Sequence, residues 1–156
     1  MKRVRVALDA NLPRRLVQLL RAGFNDQGYE FMWEPDFAPS NAQDEFWLDS
    51  FARFGGEIVL TADKNIARRP HQLLAFRETK LKGYFFESRW ATYDGPYKAA
   101  HLMLWWPRIA MHARFSKKGD CVWVPAPLQA KEFKQINFAK LQPSKLEPKP
   151  RKKDNA

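Results

Sequence analysis

Six residues, Glu57 to Ala62 (Glu-Ile-Val-Leu-Thr-Ala), form a near-continuous apolar run of strand length. That pattern marks a strand buried on both faces, which occurs where helices cover both sides of a parallel sheet. The N-terminus supplies a partner strand. Val4, Val6 and Leu8 alternate with Arg3, Arg5 and Ala7, and the chain then turns at Asn11-Leu12-Pro13 into a helix whose apolar residues are Leu12, Leu16, Leu19 and Leu20. Asn11 is placed to cap this helix, Pro13 suits its first turn, and Gly23 is expected to stop it.

The same alternation continues along the chain. A turn at Asn25-Asp26-Gln27-Gly28 leads to a short aromatic strand, Tyr29 to Trp33, and residues 34–41 read as a loop. Ser40 and Gln43 have capping-box spacing before a helix whose broad apolar face is Phe46, Trp47, Ser50, Phe51 and Phe54. A helix over His71 to Lys80, a strand over Gly83 to Glu87, a long helix from about Tyr97 to Phe115 and a last strand at Cys121 to Val124 follow. Pro107 is expected to kink or divide the long helix. Strands alternating with helices give βαβ units with right-handed crossovers: an α/β fold with a mainly parallel central sheet of four to five strands flanked by helices.

Composition limits the class of function. The chain has 156 residues, 45% of them hydrophobic, enough for one domain with a full core. No apolar run approaches the roughly 18 residues of a spanning helix, and no signal-peptide pattern follows the N-terminus, so a soluble, cytoplasmic protein without membrane contact is expected. One cysteine, Cys121, excludes an internal disulfide or a cysteine-based zinc cluster, and His71, His101 and His112 lack zinc-ligand spacing. No glycine-rich phosphate loop and no Ser-His-acid pattern is present. Lys and Arg number 27 against 17 Asp and Glu, a formal charge of +10 that favours a polyanionic partner. Residues 1–141 read as the folded domain and residues 142–156 as a basic, disordered tail rich in proline. The run from His101 to Trp106, with Trp90 and Trp123, reads either as core or as a protein interface.

The acidic residues carry the chemistry. Asp9 follows the first strand directly and Asp63 follows the apolar strand, so both lie at the carboxyl edge of a parallel sheet, where such sheets place their ligands. Asp44 and Glu45, in the first turn of a helix entered from a loop, can approach the same edge. Converging carboxylates repel one another and are tolerated when a cation sits among them. Oxygen ligands without cysteine suit Mg²⁺ or Mn²⁺. Thr61, two residues before Asp63, could hydrogen-bond a metal-held water. Arg14, Arg15, Lys64, Arg68 and Arg69 flank the edge and could hold phosphates, with nearby aromatic rings stacking single-stranded bases.

Taken in order, Leu8-Asp9-Ala10-Asn11-Leu12-Pro13, Asp44-Glu45 and Val59-Leu60-Thr61-Ala62-Asp63-Lys64-Asn65 resemble the PIN-like family, in particular its compact bacterial branch that includes toxins of toxin–antitoxin pairs. The motifs cover residues 3–66, and residues 67–125 match only in the order of elements. The resemblance implies a PIN-like fold and a metal-dependent endoribonuclease. Asp9, Asp44 and Asp63 would be the catalytic, metal-binding acids. Glu45 stands beside the second, and Asn65 where many relatives carry a fourth acid. It also implies RNA as substrate and an antitoxin protein as partner, with a homodimer as a further possibility. The alternative is a non-catalytic nucleic-acid or protein binding module on the same fold, because Asn65 removes one charge from the metal site.

Overall fold

The computed structural model describes residues 2–39, 44–63 and 69–136, with the backbone alone for residues 44 and 45. Five strands, β1 (Val4–Leu8), β2 (Tyr29–Trp33), β3 (Gly56–Thr61), β4 (Lys82–Phe86) and β5 (Cys121–Val124), run parallel in the order β2-β1-β3-β4-β5. A sixth, β6 (Lys134–Gln135), closes the sheet antiparallel to β5. Both its residues are exposed and polar, so no apolar period marked it, and four to five strands become six. The strand is defined by its pairing with Val122 and Trp123.

Helices cover both faces, as the apolar run in β3 requires. Ile58 and Leu60 point to one side and Val59 to the other. On the first side, α1 (Arg14–Phe24) and α5 (Gly95–Phe115) pack over Val6, Leu8, Leu60, Tyr84 and Phe86. Trp90, Trp105 and Trp106 are fully buried there, and Trp106 meets Phe31 and Tyr29 edge-on at 4.9 and 5.1 Å between ring centroids. These tryptophans are therefore core. On the second side, α3 (Asp44–Arg53) and α4 (Pro70–Thr79) bury Trp47, Leu48, Phe51, Leu73 and Phe76 against Ala7, Val59, Phe85 and Cys121.

Several element boundaries differ from the sequence expectation for local reasons. Residues Glu34–Phe37 form a short helix, α2, where a loop was expected, with Pro35 in its first turn. Helix α1 runs one residue past Gly23; the glycine instead allows close helix crossing, since a Cβ there would lie 2.7 Å from Met103 Cε. The turn into β2 is made at Gly28, whose φ of 87° favours a residue without a Cβ. Asn11 does not cap α1: the cap position is Pro13, with no side-chain bond. Helix α5 is one 21-residue element through Pro107 and starts two residues early, at an Asp94 side chain that accepts the Tyr97 N–H at 2.9 Å. In α3 the buried face is narrower than its pattern, because Phe46 is 61% exposed and Phe54, beyond the helix end, 71%. The Ser40–Gln43 cap and the tail over residues 142–156 lie outside the described residues. Among the described residues no helix is long and apolar enough to cross a membrane.

Candidate active site

Parallel pairing of β1 with β3 brings Asp9 and Asp63 to one edge. The ladder continues one step past β1, with the Asp9 N–H donating to the Leu60 carbonyl at 3.0 Å. Period-two alternation then points Asp9 to the side of Ala7, and Thr61 to the side of Val59, which is the face covered by α3 and α4. The Thr61 hydroxyl donates to Asp9 Oδ2 and accepts the Asp63 N–H at 3.2 Å. The other Asp9 oxygen accepts the Asn11 N–H at 2.8 Å. Asn11 thus contributes its backbone to holding Asp9 rather than its side chain to capping α1.

These groups line a cleft with Gln72 of α4 as a further polar wall and Trp47, Leu48, Val59 and Phe76 as apolar ones. The space measures about 10 Å³, room for one water-sized occupant. Its polar donors are carboxylate, hydroxyl and amide oxygens, the hard set that Mg²⁺ and Mn²⁺ prefer, with no thiolate or imidazole among the lining residues. The donor chemistry therefore fits a divalent cation held through Asp9 and Asp63, although among the described residues no three of His, Cys, Asp and Glu gather in one place. The third expected acid enters by backbone only: helix α3 begins at Asp44, followed by Glu45, and their side chains lie outside the described residues, as do Lys64, Asn65 and Arg68.

The basic candidates divide into three settings. Arg69 reaches back to Asp63, Nη1 to Oδ2 at 3.4 Å, with Asp63 largely buried and Arg69 half exposed. Arg14 pairs with Asp36 at 3.3 Å and lies 5.7 Å over the Trp33 ring, whose indole N–H donates to the Leu12 carbonyl. Arg15 lies against Gly95 at the start of α5, so close that a Cβ there would meet its guanidinium at 2.9 Å.

Gln72 and Trp47 are the site residues that sequence reasoning did not assign. Trp47 belongs by its spacing to the apolar face of α3, and Gln72 falls in the first turn of α4 without any motif, so only the packing of α4 on α3 carries them to the cleft. The histidines stay apart from it. His101 is buried, with Nε2 at 2.8 Å from the Pro125 carbonyl, and desolvation lowers its pKa. His112 Nδ1 is 2.7 Å from the Tyr84 hydroxyl, and burial likewise lowers its pKa. Burial pushes the Cys121 thiol far up, which makes it an inert core residue.

No curated protein and no solved structure matches the chain. The family model described as PIN like domain matches residues 4–88, from β1 to just past β4. That stretch contains Asp9, Asp44, Glu45, Asp63 and Asn65 and the four strands β1 to β4 of the nuclease-type sheet. With more than half of its length matched, and with a parallel sheet that gathers Asp9 and Asp63 at its carboxyl edge, the chain belongs to the PIN-like domain family.

Proposed function

We infer that this protein is a divalent-metal-dependent endoribonuclease, and that it acts as the toxin of a bacterial toxin–antitoxin pair. The observation that carries the nuclease reading is the Asp9–Thr61–Asp63 cluster, in which one hydroxyl ties the Asp9 carboxylate to the Asp63 backbone N–H and both aspartates line a small oxygen-rich cleft. Mg²⁺ or Mn²⁺ held there by Asp9 and Asp63, with Asp44 as the third acid and Glu45 and Asn65 as secondary candidates, would supply positive charge against the phosphodiester and acidify a bound water.

The chain's own groups do the rest. Thr61 and the Asn11 N–H fix both oxygens of Asp9, so its carboxylate is oriented before substrate arrives. A cleft of about 10 Å³ is too small for a nucleotide, so the RNA backbone lies across its mouth. Arg69 is positioned to exchange Asp63 for a substrate phosphate, and Lys64 and Arg68, its neighbours in sequence, would add positive charge for the RNA backbone together with Arg14 and Arg15 of α1. The toxin assignment rests on the sequence motifs and on the charge of +10.

Calorimetric titration with Mn²⁺, alongside cleavage of a single-stranded RNA, tests the reading. Binding by the intact protein that disappears in Asp9→Asn together with cleavage supports the enzyme. A second reading, the non-catalytic binding module, is favoured by one contact: Arg69 already sits on Asp63 and competes with a cation for that carboxylate. RNA binding without any Mn²⁺ uptake would establish the module instead. Growth arrest on expression, relieved by Asp9→Asn, separates a toxin from a harmless RNA-processing enzyme.

A further inference from the structure

Helix α5 buries one side completely and leaves an apolar stripe on the other. Leu102, Trp105, Trp106 and Ile109 face the core at 0% exposure, whereas Leu104, Met111 and Phe115 are 57%, 55% and 83% exposed. Their spacing, i, i+7 and i+11, puts all three within about 20° of one line along the helix, some 16 Å long. Single exposed apolar residues are ordinary, but three aligned on one helix form an apolar line of the kind a docking helix can follow.

The borders of the stripe set the chemistry of its partner. Arg108 and Arg114 flank it, and Arg108 is held in place 4.7 Å over the Trp105 ring with a 2.9 Å bond to the Ala130 carbonyl. Across α1 and α5 together the charged residues are Arg14, Arg15, Arg21, Lys98, Arg108 and Arg114, with no Asp or Glu on either helix. A second copy packed stripe to stripe would oppose these arginines to their own counterparts. The sequence from 140 to 156 holds six basic residues against two acidic ones, the same sign as the borders of the stripe, and RNA gains little from leucine, methionine and phenylalanine side chains in a row.

We propose that the exposed face of α5, Leu104, Met111 and Phe115 between Arg108 and Arg114, is the docking surface for an amphipathic helix of an acidic partner protein. The partner lays apolar residues at i, i+4 and i+7 along the stripe and offers Asp or Glu to the flanking arginines. This surface belongs to the α1/α5 side of the sheet, while the carboxylate cleft opens on the α3/α4 side, so the proposal stands apart from the nuclease reading.

Panning a display library of random 18-residue helix-forming peptides against the full chain tests it. Enriched peptides should combine acidic residues with helically spaced apolar ones, and Leu104→Glu or Phe115→Glu should weaken them about tenfold or more. Arg114→Glu should weaken them several-fold, and Asp9→Asn should leave them unchanged. Because all three α5 positions are exposed, unchanged thermal unfolding of each variant is expected and separates lost docking from lost folding. Absence of enrichment, or enriched peptides indifferent to Leu104→Glu and Phe115→Glu, overturns the proposal. So does a sedimenting dimer dissolved by Phe115→Glu, which gives the stripe to a second copy. Competition by single-stranded RNA that depends on Phe115 gives it to nucleic acid and overturns it equally.

Discussion

The two helical layers of this sheet are built for different ends. The α1/α5 layer holds the larger core, with Trp90, Trp105, Trp106 and Phe31 all buried, and its helices carry only basic charge. The α3/α4 layer buries fewer residues and carries Asp44, Glu45, Asp49 and Glu78 against Arg53 and Arg77; it opens at the carboxyl edge into the cleft of Asp9, Thr61 and Asp63. Stability is concentrated on one side and polar chemistry on the other. The lesson is physical: a cleft lined by carboxylates cannot also be a dry, close-packed core, so the apolar area that holds the sheet together has to lie mainly on the opposite face.

The largest test of this division is in the core. Trp106→Ala should cost about 3–5 kcal/mol in denaturant unfolding, and Leu73→Ala in the α3/α4 layer should fall at the lower end of the roughly 2–5 kcal/mol range for such truncations. Equal losses would break the contrast between the layers.

Next comes the site. Asp9→Asn should reduce RNA cleavage at least about a hundredfold, about 2.7 kcal/mol in barrier, while the fold survives, because an amide oxygen can still accept the Asn11 N–H. Asp9→Ala is a poorer control, since it removes the acceptor of both Thr61 and Asn11. A melting temperature that falls for Asp9→Asn as far as for Trp106→Ala would make Asp9 a structural residue and erase the distinction.

A smaller effect is expected with pH, and it belongs to the α1/α5 side. Burial lowers the pKa of His112 and of His101, so the unfolded chain takes up protons first as pH falls. Stability is therefore full above the ordinary histidine value of about 6.5 and declines as pH drops through it. Nearby Asp120 opposes the shift of His112 and Lys82 reinforces it. His112→Gln keeps a hydrogen-bonding group for Tyr84 but does not titrate, so its melting temperature should fall less between pH 7 and pH 5 than that of the parent protein. An identical slope would show that His112 contributes nothing to the linkage.

The smallest effect is at the rim. Arg69→Ala removes one cationic competitor for Asp63 Oδ2 and should tighten Mn²⁺ binding a few-fold, below about 1 kcal/mol because the guanidinium is half exposed. Weaker binding instead would mean that Arg69 positions the carboxylate rather than competing for it.

What the sequence determined by itself was whatever repeats locally. The continuous apolar run of β3 demanded helices on both faces, the alternation in β1 set its two sides, and the two aspartates directly beyond those strands had to share an edge because parallel strands end together. The α/β class, the order of elements and the position of Asp9 and Asp63 followed from that. The tertiary structure decided what depends on residues distant in the chain. It paired the polar Lys134 and Gln135 with β5, since strand identity can come from a neighbour's free backbone groups. It made Thr61 the link between the Asp9 carboxylate and the Asp63 backbone, carried Gln72 into the cleft through α4, and turned Arg14 to Asp36 and Arg69 to Asp63. It also put the tryptophans of α5 inside and left Leu104, Met111 and Phe115 outside. A helix that is apolar nearly all round carries no periodic signal for its buried side, and only the position of the sheet chooses it.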